Sequence, residues 1–353
     1  MAKTSRQAGE IRHFLLRNIP DHPRDIIRIA AEHFGVTRQT VSYHLRKLVA
    51  EKVVRARGRT SGRTFHLVGQ RTSRNYELTG ALEEHVVWRE LVAPLLEGTP
   101  ANALGICQYG LTEMLNNARD HSAGTTVQVS ASRLPVGIEL KVWDDGVGVF
   151  RKIEEALGLH SAREAVLELT KGKLTTDPAR HSGEGIFFTS RMFDSFTLRS
   201  DGLALLHDVE SGDWFIEGWS DVGGTQVTMS IDPETSRTEA SVFDEFSSEA
   251  GDYAFDVTHV PVALAAIGEE NLISRSQARR VLSRCNLFRK VIFDFNGVSR
   301  IGQAFADEVF RVFQEANPEI NLMHMRANPE VEKMIARARS RTAAAHPEQL
   351  TLV

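Results

Sequence analysis

Residues 104–122 read LGICQYGLTEMLNNARDHS, residues 137–149 GIELKVWDDGVGV, and residues 181–193 HSGEGIFFTSRMF. The first stretch sets Leu104, Leu111, Met114, Leu115 and Ala118 along one stripe of an amphipathic helix, on which Glu113 and Asn117, four apart, share a face. The second follows a strand-like run, TTVQVSA (125–131), and alternates apolar and polar residues until it stops at Asp144, Asp145, Gly146, Val147, Gly148. In the third, Gly183 and Gly185 open an apolar helix. Two further strand-like runs end at VGGTQVTMSI (222–231).

ExxxN on a helix, DxGxG after a strand, GxG opening a helix and a late GGT resemble, in order and spacing, the four nucleotide-site boxes of the GHKL ATPases, across residues 76–232. One GxG is a weak signal; four ordered elements are a strong one. The resemblance implies an α/β sandwich, a mixed sheet with helices on one face, that binds ATP with Mg2+. Asp144 would accept a hydrogen bond from the adenine 6-amino group and repel the 6-oxygen of guanine. Gly146 and Gly148 let backbone and base approach closely. Asn117 offers a neutral amide oxygen to a magnesium ion held mainly by phosphates and water. Glu113, one turn earlier, is the candidate general base, with a purely structural carboxylate as the plainer alternative. Gly183 and Gly185 turn free backbone N–H groups toward phosphates, and Thr225 supplies a hydroxyl nearby. Asp120 and His121 read as the end of the helix, and Asp145 as a solvated turn residue. Residues 150–182 resemble the family's ATP lid. Lys171, Lys173 or Arg180 are candidates to close on the γ-phosphate, a solvated charge being the plainer reading of each. SGEGIFF departs from the longer glycine-rich form of histidine kinases, and no phosphoacceptor histidine helix precedes it, so a sensor histidine kinase is not expected.

Toward the amino terminus, Ile11, Phe14 and Leu15 stand at i, i+3, i+4; Ile26, Ile27, Ile29 and Ala30 form a second apolar face; Gly35 makes a turn. Thr37 is placed to cap a third helix with Val41, Leu45 and Leu48 inward. Its other face presents Arg38, Gln39, Thr40, Ser42, Tyr43, Arg46 and Lys47, combining forked and amide donors for base edges with cations and hydroxyls for phosphates. VVRARGRTSGRTFHLV (53–68) adds two short strand-like runs carrying Arg55, Arg57, Arg59 and Arg63. Residues 1–70 resemble a winged helix-turn-helix DNA-binding domain, with FGVTRQTVSYHLRKLVAEKVV (34–54) as turn, recognition helix and first wing strand. This implies double-stranded DNA as a partner, met by the helix face just named and by Arg57 and Arg59. A helical dimerisation module with a solvated basic face is the alternative.

Charge separates this head from the rest. Residues 1–70 carry 14 Lys+Arg against 5 Asp+Glu, while the remainder carries 28 against 41, a split hidden in the net −4 of the 353 residues. With 42% hydrophobic and 25% charged residues the chain is of ordinary globular composition, long enough for two or three domains. No apolar run approaches the ~18 residues of a membrane span, and MAKTSRQAGEIRHF lacks a secretory apolar core, so a cytoplasmic protein without a membrane partner is expected. Cys107 and Cys285 stand alone, without zinc-ligand spacing.

After a Ser/Glu/Asp-rich stretch (233–251) that reads as a linker, KVIFDFNGVSRIGQAFADEVFRVF (290–313) gives a strand ending near Asp294, a turn at Gly297 and a helix with Phe305, Val309, Phe310 and Phe313 inward. NPEINLMHMRANPEVEKMIARA (317–338) adds a strand and a helix. Residues 252–336 resemble STAS domains, more closely a STAS-like family of unknown function that often accompanies such ATPases. In the STAS antagonists a phosphorylated serine opens the helix after this strand; here Ile301, Gly302, Gln303 and Ala304 stand there, and Ser299 comes a few residues early. A docking or dimerisation domain with a protein partner is the reading favoured. Residues 337–353 read as a flexible tail.

The expectation is therefore a multidomain α+β protein: a winged helix (1–70), a GHKL domain (76–232), a linker (233–251), a smaller STAS-like α/β domain (252–336) and the tail. Its expected function is an ATP-binding, nucleotide-regulated DNA-binding transcriptional regulator, with a homodimer plausible for a reader of two-fold operators. The alternatives are a partner-switching protein serine/threonine kinase and an ATPase machine acting on DNA or a protein partner.

Overall fold

A computed structural model of the chain describes residues 2–20, 22–59, 62–79, 82–175, 183–221, 223–248, 254–266 and 271–345. Arg180, the end of the expected linker (249–251) and the last part of the expected tail (346–353) lie outside them. Among the described residues no helix is long and apolar enough to cross a membrane.

The head is built from α1 (Ala2–Asn18), α2 (Ile26–Phe34) and α3 (Arg38–Ala50), followed by the antiparallel pair β1 (Val54–Arg57) and β2 (Thr64–Leu67). Thr37 caps α3, its hydroxyl accepting the Thr40 N–H at 3.2 Å. Ile11, Leu15, Ile26, Val41, Leu45, Leu48 and Phe65 close a core separate from that of the rest of the chain.

The middle of the chain runs β3 (Gln70–Glu77), α4 (Glu84–Val87, continued by π and 3-10 turns to Leu96), α5 (Ala101–His121), β4 (Thr126–Leu134), β5 (Gly137–Asp144), α6 (Val149–Leu157), α7 (Ala162–Lys171), α8 (Gly185–Met192), then β6 (Ser195–Ser200), β7 (Leu203–Asp208), β8 (Asp213–Gly218) and β9 (Thr225–Ile231). The strands form a seven-stranded sheet in the order β3-β4-β5-β9-β6-β7-β8. Along β5, Ile138, Leu140, Val142 and Asp144 are buried while the residues between them are half-buried, so the sheet turns one apolar face to α5 and its neighbours.

Every pairing in this sheet is antiparallel, which corrects the expected mixed sheet. The helical crossover from β5 to β6 does leave those two strands pointing the same way, but β9 lies between them, antiparallel to both. The two strand-like runs expected before residue 231 resolve into four strands, and β3 fills the interval left between the head and residue 76 as an edge strand.

The expected linker contains α9 (Glu239–Glu245), started by a reciprocal capping box between Thr238 and Ser241 and anchored by buried Val242 and Phe246. Its polar composition reflects the exposed face of a short helix. The C-terminal unit alternates β10 (Val257–Pro261), α10 (Arg275–Leu282), β11 (Lys290–Asp294), α11 (Gln303–Asp307, leading through a π turn), α12 (Phe313–Ala316), β12 (Asn321–Met325) and α13 (Pro329–Ala345) around a parallel sheet ordered β10-β11-β12. Helix α13 also corrects the expected tail, since it continues to Ala345, with Ala338 buried and Arg339 donating to the Leu322 carbonyl at 3.2 Å. One hydrophobic core runs from Val87 to Ala338 and includes both the seven-stranded sheet and the C-terminal unit.

Candidate functional site

Four segments far apart in sequence meet around a cavity of about 310 Å3. Helix α5 contributes Glu113 and Asn117, β5 contributes Asp144, the turn after it Gly148, the start of α8 Gly183 and Gly185, and β9 Thr225. Gly146 stands just behind the wall, its N–H donating to Asp144 Oδ1 at 2.9 Å. A methyl group at Gly146 would collide with the Ser122 carbonyl, and one at Gly185 with the Glu113 carboxylate. Gly148 adopts φ +92°, where a side chain would be strained, and this turn starts α6 along the cavity.

Asp144 is 6% exposed, and Oδ1 also accepts the Thr225 N–H at 3.2 Å. Burial pushes its pKa up, against the pull of those N–H groups. Burial, and then the charge of Glu184, push Glu113 up as well. Asp145 behaves oppositely. It collects the N–H and hydroxyl groups of Thr125 and Thr126 at 2.7–2.9 Å, which hold its carboxyl well below the usual carboxylate range and make it a clasp on β4. The Thr225 hydroxyl accepts the Val149 N–H at 3.0 Å, so Thr225 sits beside Asp144 and the start of α6.

Lys152 and Glu184 also line the cavity, though nothing in their own spacing singles them out. The Lys152 ammonium donates to the His121 carbonyl at 2.6 Å, and burial lowers its pKa. Among the described lining residues it is the one lysine or arginine, set against Glu113, Asp144 and Glu184.

The expected lid charges behave differently from either sequence reading. Lys171 is fully buried and paired with Glu168 at 2.7 Å, pointing away into the C-terminal unit. Lys173 donates to the Leu287 carbonyl at 2.9 Å and packs over Phe255 and Phe288. The apolar periodicity of α7 gave no sign that a second unit covers it.

Two buried amide atoms at the cavity, Asn117 Nδ2 and Asn116 Oδ1, have no hydrogen-bond partner among the described residues. Polar atoms so placed fit a polar ligand, because burying them unsatisfied is costly. No group of three or more His, Cys, Asp or Glu among the described residues could hold a metal ion. An octahedral ion at Asn117 would accordingly take most of its ligands from phosphate and water.

On the head, Arg38, Gln39, Tyr43, Arg46 and Lys47 are exposed along α3, with Thr40 and Ser42 half-buried beside them. The Lys47 ammonium lies 5.0 Å from the Tyr43 ring centre, and Arg57 and Arg59 are exposed at the tip of the β1–β2 hairpin. The cavity and this basic face are separate surfaces.

Residues 277–332 match the family described as a STAS-like domain of unknown function (DUF4325), which here runs from α10 to the first turn of α13. No curated protein matches the chain. In this unit Gly302 caps α11, Asp294 ends β11 and receives Arg326, and the Ser299 carbonyl accepts the Asn328 amide at 2.8 Å.

Proposed function

We propose that the cavity binds ATP with Mg2+, that the head binds double-stranded DNA, and that the protein is a nucleotide-regulated DNA-binding regulator of transcription. The middle of the chain is then a GHKL domain and the head a winged helix. The observation that carries this reading is the meeting of Glu113, Asn117, Asp144, the two glycine pairs and Thr225 around one cavity of ligand size. With Oδ1 of Asp144 occupied by two N–H groups, Oδ2 is left for the adenine amino group. The N-terminus of α8 and Lys152 suit the phosphates. Three carboxylates against one ammonium make Mg2+ a requirement for a triphosphate, and Asn117 would hold it there; when bound, the ion neutralises phosphate charge. Separation of the DNA face from the cavity means that nucleotide acts on DNA binding through the arrangement of the units, by its difference in affinity for two arrangements.

The test compares DNA affinity without nucleotide, with ADP and with a non-hydrolysable ATP analogue; identical affinities overturn the coupling. Asp144→Asn should weaken ATP binding about tenfold or more, since it replaces a charged acceptor by an amide. Arg46→Ala should weaken DNA binding and leave ATP binding unchanged. Normal ATP affinity in Asp144→Asn overturns the adenine placement.

A second reading, phosphoryl transfer, draws on Glu113, a carboxylate of raised pKa beside Gly185. Following the γ-phosphate of labelled ATP in wild type and Glu113→Ala separates the possibilities. Glu113-dependent release of free phosphate indicates an ATPase, transfer to a protein hydroxyl a partner-switching kinase, and binding without turnover a ligand-gated regulator.

A further inference from the structure

Helix α7 has two working sides. Leu169, with Leu174 and Thr175 just beyond the helix, lines the cavity. The same segment is fastened to the C-terminal unit. Glu168 and Lys171, 3% and 0% exposed, pair at 2.7 Å, and Lys171 gives its other hydrogen bonds to the carbonyls of Arg280 and Ser283, both at 2.9 Å. Arg284 closes the arrangement from the far side, reaching the Glu168 carboxylate at 3.2 Å, the Gly172 carbonyl at 2.7 Å and the Lys173 carbonyl. Arg284 holds φ +61°, a left-handed conformation uncommon for arginine, at the start of the turn that follows α10. The Thr258 hydroxyl of β10 donates to the Lys171 carbonyl at 2.7 Å.

A buried charge cluster of this kind is satisfied only in one geometry, and displacing one member strands the others without water. The wall of the cavity therefore cannot shift without disturbing the end of α10. We propose that the C-terminal unit sets the nucleotide affinity of the cavity through this latch, with Arg284 as a positioning residue that acts through α7. Nucleotide in the cavity and a partner bound to the C-terminal unit then alter each other's affinity by the same factor. The proposal rests on the nucleotide reading of the cavity and names the route by which that site is regulated.

The experiment measures ATP affinity and hydrogen exchange of the full chain, with and without Mg-ATP, in wild type, Arg284→Ala, Arg284→Lys and Lys173→Ala. In wild type, ATP should slow exchange in 104–122 and 137–149 and also in 275–287, which does not line the cavity. Arg284→Ala should raise the ATP Kd about fivefold or more and lose the slowing at 275–287 while keeping that at 104–122. Arg284→Lys, which keeps the charge and loses the fork, should recover part of both. If Arg284→Ala does not fold, Lys173→Ala decides the matter, because it cuts the half-buried tie to Leu287 and the packing over Phe255 and Phe288 while leaving the buried Glu168–Lys171–Arg284 charges paired; an unchanged Kd and unchanged slowing at 275–287 overturn the proposal. Slowing confined to 104–122 and 137–149 in wild type overturns it too. Absence of slowing in every segment overturns the nucleotide reading itself, and the latch as a nucleotide device with it.

Discussion

Glu113 and Asp144 are carboxylates largely withdrawn from water, and neither has an ion-pair partner among the described residues. Such groups lower stability, and their placement at one cavity is in keeping with the binding role proposed for it. The effect on stability has a definite sign. Because the folded-state pKa of Glu113 is raised, the folded chain holds more protons than the unfolded chain between the ordinary and the raised value, and stability falls as pH rises through that window. Glu113→Gln removes this titration. Its melting temperature should exceed that of wild type at neutral pH, with the difference shrinking toward about pH 4, where both states of the wild type become protonated. Thermal melts across that range measure it, and a pH-independent offset would place Glu113 in water. The spacing of Glu113 and Asn117 was legible in the sequence because helix geometry puts i and i+4 on one face. Lys152 was not, because it reaches the cavity from a different helix and its ammonium is anchored on a backbone carbonyl, which leaves no signature in residue type.

Among the elements, α3 shows how far local rules go. Thr37, the inward Val41, Leu45 and Leu48, and the outward basic and polar residues were all readable, and the helix runs Arg38–Ala50 with those three residues buried. Thr37→Ala should cost the head about 1 kcal/mol through loss of the cap, measurable as a lower melting point of the head. Helix α7 shows where local rules stop. Lys171 looks like a lid charge in sequence, yet α10 and β10 cover it, and burial next to Glu168 turns it into a structural ion pair. Helix α9 and the end of α13 look like linker and tail in sequence because short or polar helices carry little periodic apolar signal; tertiary contacts at Phe246 and Ala338 stabilise them.

At the scale of the molecule there are two cores. One lies within the head, and the other joins the seven-stranded sheet to the C-terminal unit. Contacts between head and body include an exposed ion pair of Arg17 with Glu210 at 3.5 Å and the packing of Val136 against the head, which are weak ties. Calorimetry should therefore resolve two unfolding transitions, the smaller belonging to the head and shifted alone by Thr37→Ala. Three transitions would mean that the C-terminal unit unfolds apart from the sheet, contrary to a shared core.

The sequence by itself determined the basic head, the ExxxN, DxGxG and GxG segments, and the STAS-like character of the C-terminal stretch, because each is written in local spacing or residue type. Tertiary structure alone decided that β9 enters between β5 and β6, that Thr225 stands beside Asp144, and that α7 is shared between the cavity and the C-terminal unit. These outcomes depend on which distant surfaces exclude water from one another. That is a property of the whole packed chain, and no window of sequence contains it.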